Sequence, residues 1–344
     1  MLNQVCPPER HLSVSGKKFS FLIVIILFIS LITPVAASGI ARPVPAWSFT
    51  YDSGAIVGDL TRAILATSDG GFTTIGTSFI TGLPSGYAYK IDQDGNFSWT
   101  NRFPGWAGGA DGTSDGGYFL SSTSGTYSKV SPTGQVEWTK DLTGDIDFNF
   151  YSSQETTDGG YILAGQSYVT ENAIVVKVNS NGEVLNYRDF NNAPYQAFCD
   201  IRQTSDGGYI VVGYQGFGSE GSNDWTFDGW VVKLDSDLNI EWQHTFSPTS
   251  GVHYQDFLLS VRETRDHGFI ALGETGYVGG DDWRNIWVLK LNPDGSTTWQ
   301  RMYGGSEVER AASIFETPDD KYIFAGTTHS NDGDVSGNHG YGDI

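Results

Sequence analysis

The run Thr204-Ser205-Asp206-Gly207-Gly208-Tyr209-Ile210-Val211-Val212-Gly213 decides the fold, together with Lys233-Leu234-Asp235-Ser236-Asp237-Leu238-Asn239-Ile240-Glu241-Trp242 further on. In the first run, Asp and two Gly separate a short strand-like stretch from a string of β-formers. Asp accepts hydrogen bonds from the backbone two residues on, and Gly takes positive φ without a Cβ clash, so 205–208 reads as a tight turn. Residues 200–204 and 209–213 then form a hairpin. In the second run, 230–235 reads as a third strand, 236–238 as a turn and 239–246 as a fourth strand.

The same pair of motifs recurs outward in both directions. The turn returns as TSDGGF from Thr67, TSDGGY from Thr113, TTDGGY from Thr156, TRDHGF from Thr264 and TPDDKY from Thr317, 43 to 60 residues apart. The second motif returns as KIDQDGNFSW from Lys90, KVSPTGQVEW from Lys129, KVNSNGEVLN from Lys177 and KLNPDGSTTW from Lys290, and only Asn186 replaces its Trp. A period of this length marks a solenoid or a propeller. The second and third strands are apolar at nearly every position (YILAG from Tyr161, FIALG from Phe269, WVVKL from Trp230, WVLKL from Trp287), so both of their faces are covered. Sheets set face to face around an axis meet that demand. The expected fold is all-β: a β-propeller of about six four-stranded blades near 63–102, 110–141, 152–190, 200–246, 260–303 and 313–344, with a stacked solenoid as the alternative. Trp47-Ser48-Phe49 resembles a fourth strand, so a strand at 46–51 is expected to close the ring. The sixth unit stops before its third strand and is expected to be incomplete.

The first segment leads to the expectation that this domain lies outside the cytoplasm. Arg10, Lys17 and Lys18 precede an apolar run over 19–33 and then Pro34-Val35-Ala36-Ala37-Ser38, the pattern of an export signal over 1–38. The apolar run is short for a membrane span, so contact with a membrane is expected only through this segment if it stays uncleaved. The remainder, 39–344, is expected to be secreted or held at the cell surface. The net charge is −20, and the leader removes more positive than negative charge. Such a surface repels phosphate backbones, which excludes nucleic acid as a partner. The chain has two cysteines; with Cys6 in the leader, Cys199 is expected to stand alone.

The Asp-turn-Gly-Trp element, Asp92, Gly95 and Trp99 with its copies, resembles the tryptophan-docking repeat of quinoprotein-like propellers. The TSDGGY element is similar to the repeat of secreted archaeal and bacterial surface proteins without an assigned role. The resemblance spans about 47–344 and implies an architecture in which the Trp packs between blades. In that family the quinoprotein enzymes bind their cofactor with calcium and often a vicinal cysteine pair, which this chain lacks.

If the strand order follows that family, the first strand of each unit is innermost. Both tight turns then share one end of the ring, and the longer connections share the other. Function usually resides in long loops on a rigid scaffold. Three such stretches, 216–229, 276–285 and 327–343, carry acids and aromatics. Asp224, Trp225, Asp228, Asp281, Asp282 and Trp283 form the expected ligand face, suited to stacking a sugar or holding a cation. Asp332, Asp334, Ser336 and Asp343 follow the alternating oxygen spacing of a calcium loop, without flanking helices and with Asp at the closing position. Arg202 and Arg262 occupy a variable position on the innermost strand, facing the channel; they would either grip an anion or pair locally with Asp200 or Glu263. Gly216-Phe217-Gly218-Ser219-Glu220-Gly221 matches a dinucleotide fingerprint but opens no helix, so it carries no such function. The His residues lack metal spacing, and there is no G-x-S-x-G elbow.

The expected function is an exported, non-catalytic scaffold that binds glycan, calcium or an extracellular protein. The alternative is an extracellular enzyme on the same fold, either a glycan hydrolase or lyase or a quinoprotein-like oxidoreductase, since fold alone does not choose between them.

Overall fold

The computed structural model describes residues 59–78, 85–142, 148–167, 169–217, 226–248, 254–277 and 283–336, and among these it contains strands and turns but no helix. Unit one comprises β1 (Asp59–Ala66), β2 (Phe72–Ser78), β3 (Ser85–Ile91) and β4 (Phe97–Pro104). Unit two comprises β5 (Ala107–Gly112), β6 (Tyr118–Ser122), β7 (Thr126–Val130) and β8 (Val136–Asp141). Unit three comprises β9 (Phe148–Glu155), β10 (Tyr161–Ser167), β11 (Ala173–Val178) and β12 (Val184–Phe190). Unit four comprises β13 (Tyr195–Gln203), β14 (Tyr209–Phe217), β15 (Thr226–Leu234) and β16 (Ile240–Phe246). Unit five comprises β17 (Tyr254–Glu263), β18 (Phe269–Tyr277), β19 (Trp283–Leu291) and β20 (Thr297–Tyr303), and β21 (Glu309–Glu316) with β22 (Tyr322–Thr328) begins a sixth.

Each of the first five units is an up-and-down antiparallel sheet in chain order. The expected hairpins are therefore present, and the fold is an all-β, propeller-like series of sheets. A single parallel pair, Phe227 with Gln255, joins units four and five. Among the described residues no ladder joins the sixth unit back to the first.

The two sequence motifs hold each unit together by bonding to each other. Thr204 Oγ1 donates to Asp206 Oδ1 at 2.5 Å, and Gly208 N donates to the same oxygen at 2.9 Å. The other carboxylate oxygen receives Lys233 Nζ at 2.8 Å. The equivalent pairs are Lys90 with Asp69, Lys129 with Asp115 at 2.7 Å, Lys177 with Asp158 at 3.1 Å and Lys290 with Asp266 at 2.9 Å. The lysine of the third strand thus locks the first turn in every complete unit. In the sixth, Asp319 pairs with Lys321, its own neighbour in the turn.

Two further devices join neighbouring units. The Trp of one unit covers the second turn of the next: a Cβ on Gly134 would lie 2.5 Å from Trp99, and Gly182 and Gly295 meet Trp138 and Trp242 likewise. At the end of the first strands, in units three to six, the side chain just before the Thr accepts from the preceding unit's turn. Ser114 N donates to Glu155 at 2.6 Å, Thr157 N to Gln203 at 2.8 Å, Ser205 N to Glu263 at 2.6 Å and Arg265 N to Glu316 at 2.9 Å. Apolar clusters fill the gaps between sheets, as where Ile210, Val212 and Val231 of unit four meet Val261, Ala271 and Trp287 of unit five.

Units four and five differ from the expectation in length. Their first three strands run on past the apolar core toward the longer connections, so that Gln215 pairs with Asp228 and Phe217 with Thr226. Asp228 and Trp283, expected in loops, lie in β15 and at the start of β19. A ladder needs only backbone groups, and polar side chains there do not interrupt it.

Candidate functional site: the axial cavity and the loop end of units four and five

All six first strands line a common cavity of about 290 Å³, with Thr61, Ala107, Tyr151, Cys199, Leu259 and Ala312 at corresponding positions and Arg62, Gly108 and Ala311 beside them. These positions lie five or six residues before the turn threonine of each unit, and Thr123, in the connection after β6, lies beside them, so the cavity sits toward the loop end. Cys199 is disulfide-bonded, which corrects the expectation of an unbridged cysteine; its partner lies outside the described residues.

Toward the turn end, charged side chains of the first strands join in a network. Asp200, only 4% exposed, receives Arg202 at 3.0 Å on one oxygen and Arg262 at 2.9 Å on the other. Ser152 Oγ and Val261 N also donate to it. Burial opposes ionisation, but the two guanidiniums hold the Asp200 carboxyl below its ordinary range. Arg202 reaches on to Asp111 of unit two at 4.0 Å, and Arg262 lies over the Phe315 ring of unit six, 4.9 Å from its centroid. Burial raises Asp111 despite Arg202. The two arginines named from the sequence are therefore committed to Asp200, the local pairing weighed against an anion site.

Around the loop end of units four and five stands an aromatic wall that the sequence reading missed. Tyr195 and Tyr214 stack at 6.2 Å, Tyr214 meets Phe257 at 4.8 Å, and Phe227 packs edge-on to Tyr195 at 5.7 Å. The same cluster includes Tyr151, Cys199 and Leu259 of the cavity lining, so wall and cavity are continuous. Phe217, at the rim of β14, is 43% exposed. The run Tyr195-Gln196-Ala197-Phe198 places aromatic and apolar residues directly ahead of the strand expected from 200, a signal that was available.

The other expected site residues divide. Asp228 is half-buried; burial raises its carboxyl, and Ser247 works against that shift. Ser247 Oγ also donates to buried Asp256 at 3.1 Å. Trp283 is half-buried. Asp224, Trp225, Asp281, Asp282 and Asp343 lie outside the described residues, as do the leader and the strand expected at 46–51. Asp332 and Asp334 serve the backbone: Ser306 N donates to Asp332 at 2.8 Å and Gly304 N to Asp334 at 3.3 Å. Ser336 lies at the end of the described stretch, exposed. Among the described residues no three acidic, His or Cys side chains converge as ligands for a metal.

One cluster has the composition of a nucleophile and base. Ser205 Oγ lies 3.2 Å from His267 Nδ1, but its hydroxyl also lies 2.6 Å from Glu263, and the same His nitrogen faces Glu263 at 3.3 Å. The imidazole is not interposed between acid and serine, as proton relay requires. The cluster belongs to the belt between units.

No family model matches the chain, and no curated protein matches it. Among solved structures it is similar to a protein of unknown function from Bacteroides caccae, at 16% identity and TM-score 0.48, over 75% of this chain and 85% of that one. It is also similar to Sqt1 from Chaetomium thermophilum, at 13% identity and TM-score 0.48, over 76% of this chain and 64% of that one.

Proposed function

We propose that this protein is an exported, non-catalytic six-bladed β-propeller of the quinoprotein-like repeat type that binds glycan at the loop end of its fourth and fifth blades. The observation that carries the reading is the aromatic wall beside the axial cavity. Aromatic faces stack on the apolar faces of sugar rings, and half-buried Tyr195 and Phe227 are the part of the wall within reach, with Tyr214 and Phe257 buried behind them. The surrounding charge is negative overall, which disfavours anionic polymers.

Closure of the ring is supported by the two ends of the series. Ile64 is 41% exposed and Ile323 57%, whereas Ile201, Val261 and Ile314 at the first position, and Ile162, Ile210 and Ile270 at the second, are fully buried. Each end thus presents the face that its counterpart covers elsewhere. The inner belt agrees: Pro318 has no N–H to donate, and Ala66, at the place of its acceptor, has no oxygen in its side chain.

A glycan array probed with the full-length exported protein, followed by product analysis of every bound sugar, tests the function. Retention without cleavage is the expected result. Release of shortened or unsaturated products would instead make the protein an enzyme, and capture of no sugar at all removes the glycan reading.

A further inference from the structure

We infer that this site, if it is the glycan site proposed above, takes the end of a sugar chain and not its middle. A chain bound through its middle needs a groove that runs through, whereas this cavity is backed on its turn side by a series of charged side chains. First strands from six units surround it, and the series is Asp111–Arg202–Asp200–Arg262. That series lies at positions two and four residues before the turn threonine, and the cavity at five and six, so the charged groups sit directly behind it.

Size agrees. At about 290 Å³ the cavity is at the lower end of small-molecule pockets, room for one sugar residue and not for a run of them. The lining combines hydroxyls at Thr61 and Thr123 and methyl groups at Ala107 and Ala312 with one charged side chain, Arg62, whose guanidinium donates hydrogen bonds of the kind that sugar oxygens accept. The terminal residue enters the cavity, and the residues behind it lie along Tyr195 and Phe227. Such a site counts chain ends and ignores chain length.

The test uses printed oligosaccharides attached through their reducing ends, each in two forms: native, and with the terminal residue blocked by O-methylation. They are probed with wild type and with Ala312→Trp, which fills the cavity from a side chain already exposed to it. Blocking the terminal residue is expected to weaken capture at least about tenfold, and Ala312→Trp to do the same to the native form. Blocked and native forms captured alike overturn the end-on inference while leaving glycan binding intact. Capture of neither form by wild type takes down the glycan reading and this inference with it. Should Ala312→Trp fail to fold, the comparison of blocked with native sugar on wild type decides alone.

Discussion

Asn186 donates to the Asp237 carbonyl at 2.8 Å, beside Leu238, which holds at φ 67° the turn position that glycine occupies in the other complete units. In units two, three and five a Trp lies over that position so closely that no Cβ fits beneath it. The two departures from the repeat are therefore one departure. Where the Trp is lost, a side chain can occupy the turn, and Leu238 uses the space to bury itself with Trp230 and Val232 at 1% exposure. A left-handed Leu is strained by roughly 1–2 kcal/mol, which burial of its side chain offsets.

Restoring the repeat on one side alone should therefore fail. Asn186→Trp is expected to destabilise the protein by about 1–3 kcal/mol, because the indole meets Leu238. Leu238→Gly alone empties a buried position and costs about 2–4 kcal/mol. The double variant should be more stable than the sum of the two by at least about 1 kcal/mol. Chemical denaturation of all four proteins measures this coupling; strict additivity would show that the indole does not cover the turn.

The lysine–aspartate locks make a prediction about acid. Burial pushes the other way, but Lys233 and Thr204 hold the Asp206 carboxyl at about 2, against an ordinary value of 3.8. Lys90 and then Thr67 bring Asp69 to about 2 as well, and Thr264 with Lys290 does so for Asp266. A carboxyl lowered on folding contributes stability that is fully present above 3.8 and lost as pH falls through 2. Melting temperature is expected to fall over that window. Each aspartate is about half exposed, so each lock contributes less than about 1 kcal/mol. In a carboxylate NMR titration, Lys233→Met should return Asp206 toward the ordinary range, and an unmoved midpoint would assign the depression to the turn alone.

The cross-axis charge network should be far less tolerant. Asp200→Asn leaves Arg202 and Arg262 without their buried counter-ion, at an expected cost of about 3–5 kcal/mol. Asp111→Asn touches only the 4.0 Å end of the network and should cost much less. Urea denaturation of the two variants ranks them, and equal losses would mean that Asp200 is not the hub.

The fold was legible because turn chemistry and apolar strands repeat, and repetition separates signal from accident. Thr204, Asp206 and Gly208 declare the hairpin locally, and Trp242 declares its partner turn. The bond between Lys233 and Asp206 was not legible, since each motif reads as complete alone and only the closed sheet brings them together. The site was hidden for a different reason. Apolar runs stop at Gly213, so residues beyond them read as loop, yet the ladder continues through Gln215 and Phe217 on backbone bonds. Tyr195 and Phe227 stand on that extension and were passed over as connection. The acids of 327–343 drew attention through their spacing, which Asp332 and Asp334 use to receive Ser306 and Gly304 instead.

That use of Asp332 leads to a test of calcium. Its carboxylate ties the chain after β22 to the chain entering β21. Asp332→Ala should lower the melting temperature by the same few degrees in calcium and in chelator. A loss seen only in calcium would restore the loop as an ion site.

Ring closure can be tested by transplanting the natural exception. Gly95 holds the second turn of unit one at φ 83°, the place where a preceding unit's Trp is expected to lie. If the ring closes, that unit is the sixth, and the candidate for its Trp is Trp47 on the strand expected at 46–51. Gly95→Leu should then be destabilising while Trp47 is present, by about 1–3 kcal/mol. Trp47→Asn should lower stability by itself, since it uncovers the turn. Combined, the two substitutions recreate the Asn186–Leu238 arrangement and should cost less than their sum, as measured by a double-mutant cycle. Independence of the two sites would mean that Trp47 does not reach unit one, and the series of sheets would then be an open arc.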